Sequence, residues 1–125
     1  MDTVPLLDIV KYIEIAISEF KPSRLYVHSL SDLNIDHKIA HQAALTASRP
    51  HPGQAVREIY AFEVLSSTHW QYSSAFNGQL FVDITEYYHH KRSLLEAYEN
   101  ELRSGFHARS HYGSEALARF RGSLI

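Results

Sequence analysis

Apolar residues recur at spacings of three and four from Leu6 to Phe20, with Leu6, Ile9, Val10, Ile13, Ile17 and Phe20 set between Asp8, Lys11, Glu14, Ser18 and Glu19. That period places the apolar set on one face and predicts an amphipathic helix. Lys21-Pro22-Ser23 ends it, because proline lacks the amide hydrogen and restrains the residue before it. Arg24-Leu25-Tyr26-Val27-His28 reads as a short buried strand, followed by a polar loop from Ser29 to Asn34. Ile39, Ala40, Ala43, Ala44 and Ala47 then repeat at helical spacing behind Asp36 and His37, up to the rigid turn Ser48-Arg49-Pro50-His51-Pro52-Gly53.

Between Val56 and Leu65, the residues Ile59, Tyr60, Phe62, Val64 and Leu65 favour a second strand. Leu80-Phe81-Val82, after the Asn77-Gly78 turn, favours a third. Thr85 is placed to cap a long helix through about Arg103, with Tyr88, Leu94, Leu95, Ala97, Tyr98 and Leu102 as its apolar positions and Gly105 as its stop. A last amphipathic helix runs from Ser114 through Phe120. Helices alternating with strands predict an α/β layered domain with a partly parallel sheet. Two or three strands make a thin sheet, so the domain reads as incomplete.

The 125 residues, 45% hydrophobic and 21% charged, suit one globular domain. A formal charge of -2 leaves no cationic field for nucleic acid or an anionic bilayer, so neither is an expected partner. With no membrane-length apolar run and no secretory leader pattern, the expected compartment is the cytoplasm. The absence of cysteine removes disulfides, thiol chemistry and sulfur-ligated zinc, while nine histidines stand out.

Three of those histidines fall in the run His28-Ser29-Leu30-Ser31-Asp32-Leu33-Asn34-Ile35-Asp36-His37-Lys38-Ile39-Ala40-His41. The run follows a strand and opens a helix, where α/β folds place their sites. His37 and His41 share a helical face, as two histidines of an HExxH site do, but Lys38 stands where that motif has its glutamate, so His41 reads as a helix-surface residue. His28 closes the strand beside the loop, either contacting substrate or bonded to backbone.

Asp32-Leu33-Asn34-Ile35-Asp36-His37, His41-Gln42-Ala43 and Ala47-Ser48-Arg49-Pro50 resemble the LmbE-like, or PIG-L, family of zinc-dependent N-deacetylases. The likeness continues through the run from Glu58 to Thr68, Ala75-Phe76-Asn77, Phe81-Val82-Asp83-Ile84, Glu96-Ala97-Tyr98-Glu99, Arg109-Ser110 and Arg121-Gly122-Ser123, essentially the whole chain. The resemblance implies a Rossmann-like fold and hydrolysis of an N-acetyl group from a glucosamine-type sugar or glycoconjugate. It makes His37 the implied zinc ligand. Asn34 occupies the position of a histidine expected to polarise the substrate carbonyl; an amide donates a hydrogen bond to an oxyanion but supplies no proton. Asp36 matches the motif's acidic residue, either fixing a histidine tautomer or capping the helix that follows it. Arg49 either binds an anionic substrate group or pairs with an internal acid. The family's HPDDE motif, with two zinc ligands and the general base, is absent from this sequence, so the resemblance implies that 1–125 is a single partial domain lacking its N-terminal part and opening at Met1-Asp2.

His107 lies where the resemblance has His-Pro-Arg-Ser, with Ala108 replacing the proline, and is either an acid or substrate contact or an exposed loop residue. His89 and His90, adjacent on the long helix, are expected to face different directions, and His51, His69 and His111 are assigned no role. Trp70, Tyr72 and Phe76 either form a sugar-facing wall or pack in a core or subunit contact. Two functional readings result: a zinc N-deacetylase represented here in part, or an inactive remnant acting only by protein association. The unpaired sheet edges of an incomplete domain predict homo-oligomers.

Overall fold

The structure, a computed structural model, describes residues 3–72 and 75–125. Met1 and Asp2, at the expected opening of the partial domain, and Ser73 and Ser74, inside the aromatic loop, lie outside the described residues. The chain divides into two compact units, Met1–Phe76 and Asn77–Ile125.

In the first unit, α1 (Leu6–Phe20) follows the predicted span. It ends on Lys21 in the left-handed conformation, φ 47°, whose N–H reaches back to the Ile17 carbonyl at 2.9 Å. Strand β1 (Arg24–His28) runs into the loop 29–34, α2 (Ile35–Ala47) crosses over, and β2 (Glu58–Phe62) returns parallel to β1. A parallel pair requires such a crossover, so the alternation read from the sequence is realised as one β-α-β unit. The described residues are thus mixed helix and strand, with a two-stranded parallel sheet in the register Arg24↔Glu58 to His28↔Phe62.

Val10 and Ile17 of α1 meet Ala43 and Ala47 of α2 and Val56, with Ile9, Ile13 and Leu25 around them. The alanines matter because a small side chain lets two helix backbones approach; Ala43 is completely buried. Leu25 and Val27 turn toward this core, whereas Tyr26 on the alternate face is 63% exposed and stacks on Tyr60 at 5.7 Å. Arg24 pairs with Glu58 at 2.7 Å on the same register rung.

The second unit contains a 3-10 turn (Thr85–Tyr87), α3 (Tyr88–Glu96) and α4 (His111–Gly122). The expected strand Leu80-Phe81-Val82 is irregular; Leu80 and Val82 are exposed, and high β-propensity without a paired neighbour makes no strand. The expected long helix stops at Glu96 rather than near Arg103, and no residue of α3 is buried. Without a packed face, propensity alone sustains only a short helix. The last helix instead begins earlier than Ser114, because Ser110 accepts the Gly113 N–H at 3.0 Å and caps it. His111 reaches Glu96 at 3.7 Å, joining α4 to the end of α3.

Candidate functional site

Parallel pairing puts the carboxyl ends of β1 and β2 at the same end of the sheet, and the loops leaving them are tied together there. Ser29 donates its N–H to the Phe62 carbonyl at 3.2 Å, and Leu33 donates its own to the Ser67 carbonyl at 3.3 Å. Asp32 lies between the loops and is completely buried. Its Oδ1 accepts the Asn34 N–H at 2.8 Å; its Oδ2 accepts the hydroxyls of Ser67 at 2.9 Å and Thr68 at 3.1 Å. Burial pushes the Asp32 carboxyl upward, but the His37 ring, the Asn34 amide and the two hydroxyls outweigh it and hold it below its ordinary value.

His37 stands in the first turn of α2 with Nδ1 3.0 Å from Asp32 Oδ2, at ion-pair distance though not aligned as a good hydrogen bond. An ionised carboxylate only accepts, so an oxygen at this distance favours the neutral ring with its proton on Nδ1 and Nε2 bare. The His37 ring stacks on His28, centroids 3.9 Å apart and 17° from parallel. Burial first, and then the neighbouring His37, lower the pKa of His28 against the opposing pull of Asp32.

His41, one turn further along α2, is half-buried and not a surface residue. Its Nδ1 donates to the His28 carbonyl at 2.7 Å, since the carbonyl can only accept. This bond uses the His28 carbonyl and the His41 ring, so it is not the ring-to-backbone bond expected of His28.

The helix cap falls on Asn34 and not on Asp36: Asn34 Oδ1 accepts the Asp36 N–H at 2.9 Å, and α2 already begins at Ile35. Asp36 is exposed in the first turn, and the carboxylate that meets the His37 ring belongs to Asp32. Thus His28, Asn34, Asp36 and His37 gather at one end of the sheet. Arg49 does not join them; it lies past the other end of α2, which ends about 15 Å along its axis from His37, with Nε bonded to the Thr46 carbonyl at 2.9 Å. His107 belongs to the second unit, where its Nδ1 accepts the Arg109 N–H at 3.0 Å.

Trp70 and Tyr72 are 70% and 98% exposed, which removes them from the core of this chain. His89 and His90 do touch, at 3.9 Å between centroids, contrary to the divergent placement expected of neighbours. No group of three His, Cys, Asp or Glu able to surround a metal occurs among the described residues. Nor, among them, is any helix long and apolar enough to cross a membrane.

Asp32, Ser67 and Thr68 are site residues that sequence reasoning misses. Their signal along the chain is weak: one acid in an otherwise neutral loop, and a hydroxyl pair just past the second strand. The chain matches no family model, no curated protein and no solved structure.

Proposed function

We propose that this chain carries part of the centre of a cytoplasmic, zinc-dependent N-deacetylase of the LmbE-like kind, with a Rossmann-like surround, acting on an N-acetylated sugar or glycoconjugate. One observation carries the reading: a buried carboxylate, Asp32, faces Nδ1 of His37 at the carboxyl end of a parallel strand. Zinc-bound histidines characteristically turn their other ring nitrogen toward a carboxylate or a carbonyl, and the donor set of His37 fits zinc through Nε2. The described residues contribute His37 as one ligand; the others in this proposal come from a segment or chain outside them.

When bound, zinc supplies Lewis-acid polarisation of the amide carbonyl and an acidified water. The chain's own residues do the positioning. Asp32 orients His37. His28, kept neutral by its depressed pKa, offers an uncharged ring beside the substrate position. Asn34 uses its side-chain oxygen on the Asp36 N–H, which turns its NH₂ to use as an oxyanion donor. Asp36 provides an exposed carboxylate at the same helix start.

Zinc titrated into the chain and followed by ring ¹⁵N resonances tests this reading. His37 Nε2 is expected to shift before any other imidazole nitrogen, and the shift to vanish in His37→Ala. Zinc-dependent shifts that spare His37 would sink the assignment.

Tyr26, exposed and stacked on the half-buried Tyr60, favours a second reading, association with another copy of the chain without catalysis. Light scattering that returns a monomer at all concentrations rules it out.

A further inference from the structure

The loop after β2 is bent through Ser66, a non-glycine residue at φ 73°. Such a conformation is sparsely populated by residues that carry a side chain and persists where its surroundings over-determine it. Immediately after this bend comes the hydroxyl pair Ser67-Thr68, and both side chains reach the same oxygen of Asp32 from 35 and 36 residues away. Thr68 is 1% exposed. Its Oγ1 accepts the Val64 N–H at 2.7 Å, which leaves its single proton for Asp32.

We propose that Thr68, assisted by Ser67, is a positioning residue that sets the tautomer of His37 through Asp32. Val64 N–H bonds to Thr68 Oγ1, the Thr68 proton goes to Asp32 Oδ2, and that same oxygen lies 3.0 Å from His37 Nδ1, a close contact outside hydrogen-bond alignment. The two hydroxyls hold Oδ2 in place facing Nδ1, and an ionised carboxylate oxygen at that distance favours the neutral His37 ring with its proton on Nδ1 and a bare Nε2. The second crossover loop thereby controls a nitrogen displayed by the first. This inference rests on the metal reading only for its use, since the tautomer is a property of the metal-free chain.

The test is ring ¹⁵N NMR of the full chain with chelator present, at a pH about two units above the ordinary imidazole value. His41 is an internal reference, because its tautomer is held by the His28 carbonyl and not by Asp32. In the parent chain both rings are expected to show a bare Nε2. Thr68→Val is expected to move His37 Nε2 toward a protonated nitrogen and leave His41 in place, and Thr68→Ser, which retains the hydroxyl, to restore the parent signal. Should Thr68→Val lose the native amide spectrum, Ser67→Ala provides the same readout with a smaller displacement. An unchanged His37 tautomer in the folded variant overturns the proposal, as does an equal change at His41. A zinc-induced His37 shift weakened about 10-fold in Thr68→Val extends the relay to metal affinity; a changed tautomer with no zinc response at His37 upholds the relay and sinks the metal reading instead.

Discussion

Asp32 Oδ2 and His37 Nδ1 lie 3.0 Å apart, joining the loop after β1 to the helix that follows it, and the carboxylate is wholly removed from solvent. A buried carboxylate is tolerated only when it is well supplied with donors. Asp32 receives an amide and two hydroxyls besides the ring, so its removal leaves several buried groups unpaired at once. Asp32→Ala is expected to destabilise the chain by about 3 kcal/mol, at roughly 1 kcal/mol or more for each stranded donor. Urea unfolding measures it, and a loss below about 1 kcal/mol would show that the donors find other partners.

The two perturbed groups of the site predict acid sensitivity in two separate windows of the metal-free chain. His28 has a folded pKa below its ordinary 6.5. The unfolded chain therefore binds this proton more readily, and stability falls as pH drops through 6.5 toward the folded value, then levels off. Asp32 is also depressed, below 3.8; its contribution is present above that value and is lost as pH falls through the folded pKa. Thermal unfolding with chelator is expected to show the upper step, and His28→Phe to abolish it.

Gly113 is required by a close approach. A Cβ there would run into the Ala108 carbonyl oxygen and come within 2.8 Å of the His107 oxygen, both backbone atoms that cannot swing aside. Gly113→Ala is expected to cost about 1–3 kcal/mol and to loosen the start of α4. Gly122, in the same helix with nothing within 4 Å, is the control. Gly122→Ala is expected to be neutral or to stabilise by about 0.5 kcal/mol. Amide hydrogen exchange across 111–122 separates the two.

Ala43 fixes the spacing of α1 and α2. Ala43→Leu inserts a branched side chain at a fully buried position and is expected to destabilise by about 1–3 kcal/mol. Ala40→Leu, on the same helix but half-buried, is expected to cost less. Equal effects in chemical denaturation would mean that the interface repacks freely.

Periodicity and punctuation alone determined α1, β1 and α2, together with the alternation that makes β1-α2-β2 a parallel unit. The helix face of α1, the proline after it and the alanine stripe of α2 are local patterns that tertiary packing reinforced. The same patterns overextended the helix beginning near Thr85 and promised a strand at Leu80-Phe81-Val82, because neither segment acquired a surface to pack against or pair with. At the site, the sequence already displayed His28, Asn34, Asp36 and His37 around one loop. Only the fold decided that Asp32 is the buried carboxylate at the His37 ring while Asp36 stays exposed, since that burial depends on Ser67 and Thr68 arriving from a loop more than 30 residues away. Local spacing specifies which residues share a helix face; which carboxylate is desolvated, and which donors make that burial tolerable, is settled only when distant loops close on each other.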